Sequence, residues 1–146
     1  LKRNGDSLNW SGEPQPGASV DLALRIVWHN EQETQLAGTS TVTLQNAAPR
    51  RATIPTSSPI QYSGPIAYSI SKGDTIPGTV LTYEGEAEEG AELGNTDTYP
   101  YRRAGDSIFW EGVLQDGVYL RLNIRVLQYN ERSLRVVGVA SLWIEP

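Results

Sequence analysis

The sequence contains no cysteine and no methionine, and only one histidine and one phenylalanine. Without cysteine there is no disulfide framework and no thiolate nucleophile, and zinc loses its commonest ligands. The lone histidine, His29, lies at the tip of an expected hairpin, where an exposed turn-flanking role is the ordinary one. A histidine-based nucleophile–base pair is therefore not expected. Helical periodicity is also missing. The only candidate, "EGEAEEGAEL", carries two internal glycines that argue against it. No apolar run approaches the roughly 20 residues that span a bilayer as a helix. Positive charge is sparse as well, with 12 basic against 17 acidic residues and a net charge of −5. The basic pairs Arg50–Arg51 and Arg102–Arg103 do not make the positive surface that phosphate contact needs, so nucleic acid is not an expected partner. Because Leu1 is no initiator, either a removed signal peptide or upstream segment such as an anchor, or a plain boundary of the expressed chain, is expected there.

Two phrases stand out in what remains: "GDSLNWSG" at residues 5–12 and "GDSIFWEG" at residues 105–112. Offset by 100, residues 5–44 align with residues 105–144 without a gap, and 12 of the 40 positions are identical. The shared set includes Gly5, Asp6, Ser7, Trp10, Gly12, Arg25, Asn30, Glu31 and Gly38. Composition alone would give about two or three matches. An internal duplication is expected, with residues 45–104 as its non-repeated middle.

Each copy predicts a short strand followed by a long hairpin, because apolar residues alternate with period two. In the second copy Val118, Leu120, Leu122, Ile124 and Val126 answer Leu134, Val136, Gly138, Ala140, Leu142 and Ile144. Both even-numbered sets are expected to face one core, so paired numbers should sum to an even value. That favours a loop of three or five residues around Asn130–Arg132. Gly138 and Ala140 then fall near Ile124 and make room for a second layer. Residues 45–65 carry four prolines and read as irregular connection or edge strand. "PIAYSISKGD" and "GTVLTYEGEA" supply two further strands, and "KGDTIPG" echoes the Gly-Asp turn of the two repeated phrases. The expected fold is all-β, a single-domain antiparallel sandwich or barrel over residues 1–146 with pseudo-twofold character. Forty-residue copies are too small to stand alone without a staple.

Candidate site residues come from the outer, odd-numbered face of the second hairpin. Tyr119, Arg121, Arg125, Leu127 and Tyr129 stand beside Val137, Val139 and Trp143, a Tyr/Trp/Arg surface with aliphatic filling. Either the middle segment or a partner should cover it. Arg25, the counterpart of Arg125, joins the set as a cross-strand partner of a carboxylate or as a reader of an acidic group. Trp10 and Trp110 are expected as core anchors. Glu31 and Glu131 read as solvated loop residues, as does the acidic run Glu84–Glu92, which lacks the spacing of a calcium loop. No catalytic residue, cofactor or metal is expected. The function implied is a non-enzymatic structural or protein-interaction module, possibly self-assembling by strand addition. Its setting is extracellular, periplasmic or at the cell surface. A carbohydrate-binding or glycan-hydrolysing β-protein is the alternative.

Overall fold

The computed structural model describes residues 2–55, 57–58 and 60–146. The strand entry expected at Leu1, and Thr56 and Pro59 of the proline-rich connection, lie outside the described residues. The chain is all-β and sandwich-like, 66% strand in three antiparallel sheets, with no helix among the described residues. Where one domain was expected, it clusters into two compact units, residues 2–46 and 47–145.

The first unit is a meander of β1 (Ser7–Gln15), β2 (Ala18–His29) and β3 (Thr34–Leu44), in the order β1-β2-β3. The second unit opens with β4 (Arg50–Arg51) and β5 (Ile60–Ser71). A small sheet of β6 (Thr82–Ala87), β7 (Gly90–Gly94) and β8 (Tyr101–Arg102) follows. Then comes a second meander of β9 (Ser107–Gln115), β10 (Val118–Asn130) and β11 (Ser133–Ile144). The large sheet runs β4-β9-β10-β11-β5, so the middle segment supplies both of its edge strands. Pro65 sits within β5, where an edge tolerates a residue with no N–H to give.

The two meanders pair alike at an offset of 100. Ser7 faces Arg25 as Ser107 faces Arg125, and Leu24 faces Gly38 as Ile124 faces Gly138. The Gly-Asp turns explain part of the shared lettering. Gly5, Gly73 and Gly105 adopt φ of +89°, +87° and +90°, a region closed to most side chains. In each turn the glycine N–H and the aspartate C=O clamp one residue of a neighbouring strand. Gly5 N donates to Ile26 O at 2.7 Å while Ile26 N donates to Asp6 O at 3.0 Å; Tyr83 and Val126 are held in the same way. In the two repeated turns the Asp side chain also accepts from the main chain, at Arg3 N and Arg103 N, each at 2.8 Å.

The loop prediction needs correction. Val118 pairs with Ile144 and Val126 with Val136, so the numbers sum as expected, yet Asn130 pairs with Ser133 across a two-residue loop. A bulge at Leu127 absorbs the extra residue, keeping even faces even below it while permitting the tighter turn. Val27 takes the same position in the first meander. Asn130 Oδ1 closes the turn by accepting from Arg132 N at 2.8 Å and Ser133 N at 3.0 Å, and Asn30 does the same for Gln32 and Glu33, at 2.8 Å each. The acidic run also folds: it forms the β6–β7 hairpin, turning at Glu88–Glu89.

The core of the second unit lies on the even-numbered face of β9–β11. Ile108, Trp110, Leu122, Ile124, Leu134, Val136 and Ile144 are buried there, and the middle segment buries Ile76, Leu81, Tyr83, Ala91 and Leu93. β6 packs on β10 and β11. Trp110 lies over Gly112, where any Cβ would collide with its indole, and Trp10 covers Gly12 in the same way. This explains why the Trp-x-Gly spacing appears twice. Gly138 is needed for a related reason. Its Cβ would strike the Asn123–Ile124 backbone across the ladder, so the glycine serves close approach of β10 and β11 rather than the second layer.

Candidate interaction surface

The pairings lay out the opposite, odd-numbered face of the large sheet row by row. One row runs Glu111, Arg121, Ser141, Ser63; the next runs Phe109, Asn123, Val139, Pro65; the third runs Ser107, Arg125, Val137, Ala67. β10 and β11 thus bring Arg121, Arg125, Leu127, Val137 and Val139 together on one face. β9 adds Phe109, which the sequence reading missed although its odd number, between Ile108 and Trp110, is the signal for it. Phe109 is 55% exposed, Leu127 53% and Val139 47%. Among the described residues the middle segment borders this face in part: Arg51, Asp97 and Arg102 flank Ser107, Phe109 and Glu111, and the face is buried at Val113 and Trp143. β5 extends the sheet edge beside β11, while β6 packs against the even-numbered face.

Polar anchors organise the row of Arg121. Its Nε donates to Glu111 Oε1 at 2.5 Å, and its guanidinium lies 5.1 Å from the Trp143 ring centre. Trp143 is buried, not the exposed hot spot expected of it. Ser63 and Ser141 hydroxyls meet at 2.7 Å, linking β5 to β11 across the same row. Tyr119 is half-buried on this face, whereas Tyr129, expected here too, lies beyond the Leu127 bulge, pairs with buried Leu134 and so turns to the even-numbered face near Tyr83. Arg125 makes no cross-strand ion pair among the described residues. Its Nη1 donates to Gly105 O at 3.0 Å, bracing the Gly-Asp turn. Arg25 is exposed on β2 of the first unit and belongs to a different sheet from the other candidates.

A groove of about 640 Å³ runs beside β9, lined by Arg51, Asp97, Arg102, Ser107, Phe109 and Glu111 among others. Arg51 pairs with Asp97 at 3.2 Å, and Glu111 is held by Arg121. Arg102 staples the preceding loop to β9, donating to Thr98 Oγ1 at 3.0 Å, Tyr101 O at 2.9 Å and Ser107 O at 3.1 Å. Both groove carboxylates are thus engaged by guanidinium groups. At the far end of the unit, Glu131 pairs with Lys72, whose hydrogen bond and charge hold its carboxyl below the ordinary value of 4.5. Glu131 is therefore a latch on the middle segment rather than a merely solvated loop residue. Beside it the Tyr83 hydroxyl donates to Asn130 O at 2.6 Å. Burial, with Glu86, Glu131 and Tyr129 nearby, pushes the Tyr83 phenol up to about 12. Among the described residues no group of three or more His, Cys, Asp or Glu is placed to hold a metal, and no helix is long and apolar enough to cross a membrane.

No family model, curated protein or solved structure matches the chain.

Proposed function

We propose that this chain is a non-enzymatic, β-rich structural module of an exported or cell-envelope protein, working through protein–protein contact by the odd-numbered face of its large sheet. One observation carries the proposal. Phe109, Leu127 and Val139 are each about half exposed on a single hydrogen-bonded face, with Arg121 and Arg125 among them. Apolar side chains interspersed with arginine are the composition of an interface centre. The commitment of Asp97 and Glu111 to arginines favours a scaffold over acid–base chemistry. The coincident pairing of the two meanders leads us to attribute them to an internal duplication, a common origin for modules used in arrays.

Self-association is the simplest partner to test. Light scattering over a concentration series should give a defined oligomer that Leu127→Asp with Val139→Asp converts to monomer, while amide exchange in residues 107–126 stays unchanged. A strict monomer that also fails to retain any protein of its source envelope on a column would refute the interaction reading. The groove supports one alternative, since Phe109 flanked by Asp97 and Glu111 has the makings of a glycan platform. Binding on a glycan array that Phe109→Ala abolishes would replace the first reading with this one.

A further inference from the structure

The even-numbered face of the first meander is buried at Ala18, Val20 and Ile26 but open around Trp10 and Leu36, where its counterpart is closed. Trp10 is 48% exposed and Leu36 39%, whereas Trp110 and Val136, at the same positions of the second meander, are 0% and 1% exposed. Leu8, Leu22 and Leu24 are half-buried, while Ile108, Leu122 and Ile124 are fully buried. In the second unit the middle segment packs over this face. β5 runs antiparallel along the outer edge of β11 from Ser71–Ser133 to Ile60–Ile144. The chain then turns through Lys72 and Gly73 and lays Ile76, Leu81, Tyr83 and Leu93 into the core. Gly78 passes so close above Leu120 that a Cβ there would come within 2.6 Å of Leu120 Cδ2.

We propose that the first meander is a docking face for a segment built like residues 60–103, lying in the same polypeptide one 100-residue period ahead of its counterpart. That segment would add a strand to the free edge of β3 and cover Trp10 and Leu36 with its apolar turn. The inference concerns another sheet and another face than the interaction surface proposed above, and rests on the internal duplication proposed there.

Three features of the first meander match what the middle segment grips in the second. Among the described residues β3 pairs with β2 alone, and its 11 residues include no proline to block pairing. The apolar row survives as Leu8, Trp10, Leu22, Leu24, Ile26 and Leu36 opposite the Gly38 gap. The hairpin tip keeps Asn30 and Glu31, and in the second unit Asn130 O receives the Tyr83 hydroxyl while Glu131 takes Lys72. Among the described residues no ion pair engages Glu31. Asn30 and Asn130 recur because each closes its turn, but a solvated loop gives no reason for the glutamate after them; a shared docking segment does. A strand edge and an apolar face open together are what intrachain strand addition fills.

The test joins a second copy of residues 47–104 ahead of Gly5 in the otherwise intact 146-residue chain. Amide exchange in residues 34–44 should slow roughly tenfold or more, as for a strand moved from edge to interior. Acrylamide quenching should fall by the contribution of Trp10. Glu31→Lys should reverse part of the protection, and changing the lysine of the added segment to glutamate should restore it. Unchanged exchange in residues 34–44 while residues 107–144 keep their protection would overturn the proposal. Should the fusion misfold, a peptide of residues 60–87 added in excess to the unmodified chain gives the same readout, and no protection there overturns it equally. Protection already present in the unmodified chain and rising with its concentration would assign the face to a second copy and also overturn it.

Discussion

Truncating the two repeated tryptophans should separate a sealed core from an open one. A buried aromatic removes roughly 150–250 Å² from water, and burial is worth about 25 cal/mol per Å². Removal of a fully buried Trp accordingly costs about 3–5 kcal/mol once partial relaxation is included. Trp110 is 0% exposed and should cost in that range when changed to Ala. Trp10 is 48% exposed, keeps about half of its hydration and leaves no closed cavity when removed. Trp10→Ala should therefore cost no more than about 2 kcal/mol. The glycines beneath them extend the contrast. Gly112→Ala forces a confined indole to move and should be strongly destabilising, whereas at Gly12 the exposed ring can swing aside. Urea unfolding followed by far-UV circular dichroism gives the totals, and amide exchange by peptide assigns each to residues 5–44 or 105–144. Equal costs for Trp10→Ala and Trp110→Ala would refute the claim that the first face is open.

Two further outcomes follow from the polar contacts at the second hairpin tip. Tyr83→Phe removes the donor to Asn130 O and should cost about 1 kcal/mol. In the unmodified protein the Tyr83 phenol ionises at about 12, above its ordinary 10.0. The stability this shift supplies is fully present below pH 10 and is lost as pH rises toward 12, so ultraviolet titration should find one late tyrosinate that Tyr83→Phe abolishes. Glu131 behaves oppositely, because its folded value lies below the ordinary 4.5. The stability from its pairing with Lys72 is present above pH 4.5 and disappears as pH falls through the depressed value. Glu131→Gln should therefore differ from the unmodified protein at pH 6 and converge with it in acid, with both compared by urea midpoint.

The strands were legible because period-two alternation needs only a face to bury, and both meanders carry it in nearly every residue from Ser7 to Leu44 and from Ser107 to Ile144. The Gly-Asp turns were legible for the same local reason, since positive φ and a short side-chain acceptor are written in adjacent letters. The bulges at Val27 and Leu127 were not. An aliphatic residue in a strand looks the same whether it is paired or extruded, so the two-residue loop was hidden behind a register that summed correctly. Alternation also left open which layer covers which face. It placed Leu127, Val137 and Val139 on one side, but the choice of the even-numbered side for β6 depends on the path of the chain through Gly73 and Gly78. Trp143 shows the same limit. Its odd number put it on the outer face, yet it is buried there, with Arg121 over its ring. Two of the repeated pairs answer to near neighbours, the ring over the glycine two positions on in Trp-x-Gly and the turn-closing Asn30 and Asn130, whereas Glu131 answers Lys72, distant in sequence.

The order of strands in the second unit has a consequence for how it comes to be folded. β5 precedes the sheet it completes: Ile60 waits for Ile144 and Ser71 for Ser133, while β9, β10 and β11 pair with immediate neighbours. Ladders between near neighbours close a small loop and form early; a ladder joining distant stretches carries a larger entropic cost and forms late. The meander should therefore assemble first as a transient three-stranded intermediate, with its apolar face wet until β5 and the small sheet close over it. On a ribosome that closure must await the last strand, so Ile66, Tyr68 and Ile70 stay unprotected throughout synthesis. The slow step of folding is then the return of the middle segment rather than the formation of the hairpins.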